Sequence, residues 1–439
     1  MRVSWKILMM FGLTVALLIP LGLIRGTVAE RQRYRAEAVE EVARSTAGAQ
    51  TLAGPILVVP YSDRVTKLRP DESGVQRRVD VVESGTWVFF PRSMAARGRM
   101  QSIPRRLGLY DVRVYELDAD VRAGFHVTIP RDPDPASPRT LGQPRLAIGL
   151  RDVRGLVGVP SLHVDGTPRP LHQGLGPAGG RGLHALLPVP APGQPIELEV
   201  AFKAAVQGTE TLSIVPLAER NSIAIASPWP HPKFHGEFLP RARHVRLDGF
   251  DANWEVSSLA TNAQAQMREA LRQPASAEVR ADSVSVSLVD PVNVYSKVDR
   301  ATKYGVLFVL LTFVAFFMFE LLKQLRIHPI QYGLVGLALS MFFLLLLALS
   351  EHVQFAAAYV VAAVACVGLI AYYLGHVLGG YMRAAGFAAM LGTLYAALYG
   401  LLVSEDNALV LGAGLLFLVL AAVMVLTRRV DWYQAAARA

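Results

Sequence analysis

Long apolar runs occupy the C-terminal part of this chain. The residues ahead of them are interpreted as a domain attached to this apolar block. Five runs lie at Tyr304–Leu322, Ile330–Leu349, Phe355–Leu374, Gly386–Val403 and Ala408–Thr427, separated by short polar joints. Each run approaches or exceeds the roughly 20 residues that a helix needs to cross a bilayer core. Because backbone polar groups in lipid must hydrogen-bond within the segment, the pattern predicts a block of five transmembrane helices at residues 304–427.

Another apolar run, Ile7–Ile24, lies near the N-terminus and is long enough to span a bilayer. Arg2 and Lys6 precede it, which favours a cytoplasmic N-terminus. The alternative is a cleaved signal peptide, since Thr27-Val28-Ala29 resembles a processing site. The run is long for a signal core, so residues 1–25 are predicted to be an uncleaved transmembrane anchor.

Between these apolar segments the pattern changes twice. Residues 26–53 are rich in Ala, Glu and Arg and contain no proline, which predicts a connecting helix. Residues 54–303 alternate apolar and polar positions with period two, and clusters of Pro, Gly, Asp and Ser interrupt them. This pattern predicts a β-rich domain of short antiparallel strands packed as one sandwich or two. Ala263–Arg272 is predicted to be a short helix before the last strands.

The charges of the joints predict the orientation. Basic residues follow the first, third and fifth runs of the C-terminal block: Lys323, Arg326, Arg383, Arg428 and Arg429. Acidic residues occupy the other two joints: Glu351, Glu405 and Asp406. Because basic joints remain in the cytoplasm, the β-rich domain is predicted to be extracytoplasmic. The expected architecture is six transmembrane helices with both termini cytoplasmic, including a tail at residues 428–439.

Charge and cysteine content narrow the classes of partner. The formal net charge is +9, and residues 25–303 hold 36 Lys or Arg against 30 Asp or Glu. No long basic cluster is interleaved with aromatic residues, so nucleic acid is not an expected partner. A weakly basic outer domain is compatible with anionic lipid or a cell-wall polymer. The single cysteine, Cys366, lies in a predicted helix, so the outer domain depends on its core rather than on disulfides.

No short motif in the sequence identifies a catalytic, cofactor-binding or metal site. Gly174–Gly179 matches the letters of a dinucleotide-binding loop, but prolines and glycines surround it and no βαβ pattern is present. His231 and His235 have a spacing that suits a metal only on a helix, whereas Pro230 and Pro232 favour extended backbone. A structural turn anchored by Trp229 and Phe234 is expected instead. No catalytic, cofactor-binding or metal-ligating residue is assigned, and no cofactor is expected.

Few charged residues fall within the apolar runs, which argues against a proton relay. Glu320 and His328 are expected at the inner membrane interface because Lys323 and Arg326 lie nearby. Glycines predicted to allow close helix packing are Gly333, Gly336 and Gly392. Aromatic residues predicted to form interfacial belts are Tyr304, Tyr332, Tyr372, Tyr373, Tyr381 and Trp432. A transporter or an envelope enzyme remains the alternative to a binding protein.

Several long strings resemble the CreD family of bacterial inner-membrane proteins. In the membrane block they are FELLKQLRIHPIQYGLVGLALSMFFLLLLALSEH at Phe319–His352, SEDNALVLG at Ser404–Gly412 and LTRRVDWY at Leu426–Tyr433. Ahead of it they are ERQRYRAEA with GPILVVPY, SPWPHPKFHGEFLP, GFDANWEVSSLA and DPVNVYSKVDRATKYG. The resemblance therefore covers both ends and the middle of the chain.

The resemblance implies a role in cell-envelope integrity and in the response to envelope or cell-wall stress. In that family the gene accompanies a two-component regulatory system, and an older name reflects colicin tolerance. We expect a non-enzymatic protein of the bacterial inner membrane whose periplasmic domain binds an envelope protein, a lipid or a cell-wall component. The resemblance specifies neither the ligand nor a molecular mechanism.

Overall fold

The chain divides into two compact units in the computed structural model. The helical unit comprises Met1–Arg35 and Val292–Ala439, and the β-rich unit comprises Ala36–Pro291. The structure describes residues 3–70, 76–130, 139–176, 180–190, 195–272, 281–288, 294–323, 327–377, 380–404 and 408–428. The prediction of several apolar helices together with a β-rich region is confirmed.

The helices follow the apolar runs but extend beyond several of them. They are α1 (Val3–Ser45), α2 (Ala263–Arg272), α3 (Val294–Lys323), α4 (Pro329–Ser350), α5 (Phe355–Val377), α6 (Tyr381–Val403) and α7 (Ala408–Thr427). Among the described residues, α1, α3, α4, α5 and α6 are long and apolar enough to cross a bilayer. The apolar stretch described in α7, Val410–Val425, is shorter. The short helix predicted at α2 is present.

Two helices are longer than hydropathy predicts. Helix α1 runs without interruption through Pro20 and through most of the predicted connecting segment. Helix α3 begins at Val294, ahead of the predicted start at Tyr304, because VYSKVDRATK contains no helix breaker. Helix α4 begins with Pro329 at its first position, and His328 and Gln331 form reciprocal side-chain caps with the backbone.

Seventeen strands are assigned among the described residues. They are β1 (Gln50–Pro70), β2 (Gln76–Phe89), β3 (Ser93–Leu107), β4 (Tyr110–Thr128), β5 (Thr140–Leu141), β6 (Arg145–Leu150), β7 (Leu156–Val164), β8 (Thr167–Arg169), β9 (His172–Gln173), β10 (Gly182–Leu186), β11 (Pro195–Thr209), β12 (Thr211–Val215), β13 (Arg220–Ser227), β14 (Pro232–Gly236), β15 (Ala242–Arg246), β16 (Gly249–Ser257) and β17 (Val284–Leu288). They form two sheets.

Most strand pairs are antiparallel, as expected, but each sheet also contains a parallel pair. Sheet A has the order β14-β17-β12-β1-β6-β10-β9, with β2 and β5 also paired to β1, and its β1 and β12 run parallel. Sheet B has the order β15-β16-β13-β3-β4-β11-β7-β8, and its β3 and β13 run parallel. Both parallel pairs join strands that are distant in the chain, so no local turn motif in the sequence predicts them.

A single hydrophobic cluster is lined by residues from both sheets. Leu57, Leu146 and Val286 come from sheet A, and Phe202 and Trp254 come from sheet B. Alternate positions of the long strands point into this cluster, as β4 illustrates from Tyr115 to Phe125, where every second residue is buried. The cluster is not divided at the proline-rich segment that follows β10.

Buried polar groups hold the end of α1 within the β-rich unit. Gln50 donates to the carbonyl oxygens of Asp152 at 2.7 Å and Gln207 at 3.1 Å. Thr209 donates to the Ala47 carbonyl at 2.6 Å. A Cβ at Gly155 would lie 2.2 Å from the Gln207 carbonyl oxygen, so a larger residue would separate these segments. The passage from helix to first strand is therefore closely packed.

Candidate functional site

Strand register assembles a concave site on the outer face of sheet B. One row across the sheet contains Glu199 on β11, Gly124 on β4, Ser93 on β3, Arg220 on β13 and Ser257 on β16. The next row on the same face contains Ala201, Arg122, Ala95, Ser222 and Glu255. Small residues therefore occupy the middle of the site, and charged residues stand on either side.

This groove, which we call the sheet B groove, has a volume of about 560 Å³. Its lining includes Arg122, Glu199, Arg220 and Glu255 together with the small residues of the two rows. The Glu199 carboxylate lies over the floor of the groove. Its Oε1 is 3.1 Å from the position that a Cβ on Gly124 would occupy. Glycine at this position leaves room for the carboxylate to turn inward.

Two of the four charges at the groove are already compensated. Arg122 Nε lies 3.5 Å from Asp120 Oδ1, and Glu255 forms an ion pair with Arg241. Glu199 and Arg220 form no side-chain ion pair with any other residue that the structure describes. The groove thus presents one anion and one cation, in the same row and on opposite sides of the floor.

The histidine pair of the WPHPKFHGEF segment is structural. His235 lies on strand β14, and its Nε2 is 2.7 Å from the Ser287 hydroxyl. Burial lowers the pKa of this imidazole, with Lys233 as a secondary cause. Extended backbone separates residues four apart by about 13 Å, which is too far for one metal ion. The segment forms a strand rather than the predicted turn, and its half-buried Phe234 packs edge-on against Phe250.

The other motif with a possible chemical interpretation is a loop. Gly174 and Gly176 have positive φ angles of 88° and 121°, and strands β9 and β10 flank them. The helix that a dinucleotide-binding loop must open is absent from the described part of this segment. Residues 177–179, which complete the predicted motif, lie outside the described residues. Across the residues that were described, no group of three His, Cys, Asp or Glu side chains is placed to hold a metal.

The titratable groups of the β-rich unit whose pKa values are shifted lie away from the groove, where they cap backbone segments, form ion pairs or hydrogen-bond within the core. The Arg154 guanidinium holds the pKa of Asp152 below its usual value. The backbone N–H of Asn262, with Gln266 and Thr261, lowers the pKa of Asp282, which fastens the start of α2. Burial raises the pKa of the Tyr115 hydroxyl, which donates to the Thr211 carbonyl. These are structural roles.

Glu320 lies near the end of α3, where an interfacial depth is predicted, and its side chain is buried within the helical unit. It is 4% exposed, and it accepts hydrogen bonds from the Tyr332 hydroxyl at 2.8 Å and the Ile327 N–H at 3.2 Å. Tyr332 is itself 2% exposed and packs against Phe313 and Phe316, so it does not belong to an aromatic belt. The carboxyl group joins the end of α3 to the start of α4.

A second polar cluster lies at the opposite ends of these helices. Arg31 Nε on α1 lies 3.3 Å from Glu351 Oε1, and the Tyr295 hydroxyl on α3 donates to the same oxygen at 3.3 Å. Arg25 donates to the Thr302 carbonyl at 3.1 Å. Arg25 and Arg31, which follow the first apolar run, thus contact groups of the C-terminal block.

The remaining interior of the helical unit is aromatic and aliphatic where described. Its buried threonine and serine hydroxyl groups donate within their own helices, for example from Thr312 to the Phe308 carbonyl. The buried Tyr359 hydroxyl on α5 instead donates to the Tyr395 carbonyl on α6 at 2.7 Å. Gly336 is a close-packing site as predicted, since a Cβ there would lie 2.4 Å from Leu17 Cδ1. Gly392 is not, because nothing lies within 4 Å of such a Cβ.

Other predicted positions have mixed outcomes. Tyr372 and Tyr381 are exposed near helix ends, in agreement with an interfacial position. Trp432 and four of the joint residues, Arg326, Glu405, Asp406 and Arg429, lie outside the described residues. No sequence motif indicated the sheet B groove, because its residues come from five strands that only the pairing brings together.

Comparison with known proteins identifies the family. The family model for the inner membrane protein CreD matches residues 2–433. The chain belongs to the CreD family. It is 37% identical over 434 residues to the inner membrane protein CreD of Escherichia coli, and the match covers 98% of this chain and 93% of that protein. CreD membership and the apolar helices make this an inner-membrane protein.

Similarity to solved structures is weak. An M1 zinc metallopeptidase from Deinococcus radiodurans aligns with a TM-score of 0.21 and 7% identity. A variant of this enzyme gives a TM-score of 0.24 and 9% identity. Each match covers 45% of this chain and 42% of the enzyme chain. These scores are too low to carry an argument about fold or activity.

Proposed function

We propose that this CreD-family protein maintains the cell envelope by binding an envelope component through its β-rich unit on the periplasmic side. The proposed domains are an anchor at residues 1–25, a connecting helix at 26–53, a periplasmic domain at 54–303, a five-helix block at 304–427 and a cytoplasmic tail at 428–439. The alternating charge of the joints supports this topology, with six spans and both termini in the cytoplasm.

The observation that carries the binding role is the sheet B groove, a concave surface with an uncompensated acid and base. We interpret the two sheets around their shared core as one sandwich that supports this surface. A periplasmic position would expose the groove to envelope components. The predicted cytoplasmic joints are too short for an output domain, so a signal to the cytoplasm requires a protein partner.

The interior of the helical unit supports anchoring better than transport. Most of its described buried side chains are aromatic or aliphatic, and the buried threonine and serine hydroxyl groups donate within their own helices. A transport path needs polar groups that face one another along a hydrated route. A non-enzymatic role is proposed because the shifted titratable groups of the β-rich unit serve as caps and ion pairs rather than clustering in the groove.

Growth and crosslinking experiments test this proposal together. A strain that lacks the protein should become sensitive to a membrane-perturbing detergent, and the wild-type chain should restore growth. A photocrosslinking residue at Ser222, in the groove floor, should capture an envelope component in stressed cells. The same residue at Val159, exposed elsewhere on this unit, should not. Unchanged growth of the deletion strain, or equal adducts at both positions, would contradict the proposal.

A further inference from the structure

We infer that the sheet B groove binds a short, extended peptide with a free amino group and a free carboxylate. This inference rests on the proposed binding role of the β-rich unit and specifies the chemistry of its ligand. It follows from the positions of Glu199 and Arg220, the two charges at the groove that have no ion-pair partner in the described chain.

The distance between these two charges sets the length of the ligand. Glu199 on β11 and Arg220 on β13 share one row, and β4 and β3 lie between them. Three steps between adjacent strands correspond to about 14 Å between the two backbones. An extended peptide advances about 3.4 Å per residue, so four residues cover this distance, or three once the long side chains lean inward.

The floor of the groove suits a peptide backbone laid across the strands. Ser93, Ala95, Gly124 and Ser222 occupy the positions between the charged walls. Their small side chains leave space for a chain to approach, and the serine hydroxyl groups can donate to or accept from peptide groups. Glu199 is already turned over Gly124, toward the place where a peptide amino group would lie.

The charge pattern disfavours other ligand classes. A polyanion would meet Glu199 and Glu255, whereas a polycation would meet Arg122 and Arg220. A neutral saccharide would leave the carboxylate and the guanidinium without counter-charges, so it would form no ion pair with either group. A ligand with one charge of each sign at its two ends satisfies both groups at once.

Calorimetric titration of the purified full-length chain with tetraalanine tests the inference. We expect saturable binding, and at least tenfold weaker binding when the peptide is acetylated at its N-terminus and amidated at its C-terminus. Trialanine should bind within about threefold of tetraalanine, while dialanine should bind at least threefold more weakly, because it cannot reach both walls.

Matched variants locate the site. Glu199→Gln and Arg220→Gln should each weaken tetraalanine binding at least threefold, because each removes one end of the recognition. Glu197→Gln, on the same strand and face as Glu199, should leave affinity unchanged, as should Arg99→Gln on β3, because neither residue lines the groove. Unchanged melting temperatures of the variants show that binding, not folding, is affected.

Three results would overturn the inference. These are no saturable binding of tetraalanine, equal binding of the blocked peptide, and equal losses in the groove variants and their controls. If they occur while the deletion strain is sensitive to detergent and Ser222 captures an envelope component, the proposed function stands and only the peptide assignment falls. If the deletion strain and the crosslink are both negative, the binding role itself falls.

Discussion

The hydrogen bond between Tyr332 and Glu320 gives a sharp test of the helical unit. Tyr332→Phe removes the hydroxyl that lies 2.8 Å from Glu320 Oε2. The ring packing is retained, since Phe fills the same space beside Phe313 and Phe316, whose ring centroids lie 5.8 Å and 4.6 Å from that of Tyr332. Any loss of stability therefore reports on the hydrogen bond rather than on a cavity.

Two ranges of hydrogen-bond free energy bracket the loss of stability expected for Tyr332→Phe. Hydrogen bonds between membrane helices average about 0.6 kcal/mol and reach about 1.7 kcal/mol. Those to charged groups in soluble proteins are worth about 1.5–3 kcal/mol. Glu320 is 4% exposed and also accepts the Ile327 N–H, so its carboxyl group keeps a donor when the tyrosine hydroxyl is removed. We expect Tyr332→Phe to cost about 1 kcal/mol.

A double-mutant cycle measures this interaction. Tyr332→Phe, Glu320→Met, which removes the acceptor, and the double variant are unfolded reversibly in mixed micelles, and we expect a coupling free energy of about 1 kcal/mol. Tyr372→Phe is the control, because Tyr372 is exposed and its change should stay below about 0.3 kcal/mol. A coupling free energy below about 0.3 kcal/mol would refute a stabilising bond between α3 and α4.

Three further predictions concern packing and pH. Gly336→Leu should destabilise the protein by at least about 2 kcal/mol, because even its Cβ would lie 2.4 Å from Leu17 Cδ1. Gly392→Leu should be nearly neutral, because nothing lies within 4 Å of a Cβ there, and thermal unfolding in detergent compares the two variants. Trp254→Ala should cost about 3–5 kcal/mol in chemical denaturation, since the indole is 1% exposed, and a loss under 1 kcal/mol would contradict the described core. Because the pKa of Asp282 is lowered in the folded state, its ionised form stabilises the fold above the ordinary carboxyl pKa. The free energy of unfolding of the wild type should therefore exceed that of Asp282→Asn at pH 7, and this difference should fade below about pH 4. A difference in unfolding free energy that does not change with pH would contradict this prediction.

Local patterns explain which elements were predictable. Apolar runs of sufficient length indicated the membrane helices, and period-two alternation indicated the strands. The start of α3 was missed because residues 294–303 are polar yet compatible with a helix, and hydropathy does not detect such an extension. Helix α1 ends at Ser45, ahead of the predicted boundary at residue 53, and one contact at this end is long-range: the Arg154 guanidinium donates to the Arg44 carbonyl.

Long-range pairing explains what could not be predicted. Glu320 was placed in the interface because its neighbours in sequence are basic, but its burial depends on Tyr332, which lies across the joint on the next helix. The sheet B groove depends on the register that aligns Glu199, Ser93 and Arg220. A shift of one residue in a strand would turn these side chains to the opposite face.

Labelling of an engineered thiol most directly tests the central claim, that the β-rich unit faces the periplasm. Lys203→Cys, on β11, places a thiol where the native side chain is 64% exposed, in a Cys366→Ala background that removes the buried native cysteine. Arg383→Cys serves as the control in a predicted cytoplasmic joint. In intact spheroplasts an impermeant maleimide should label position 203 and spare position 383 until lysis. Labelling of position 203 only after lysis would contradict the account.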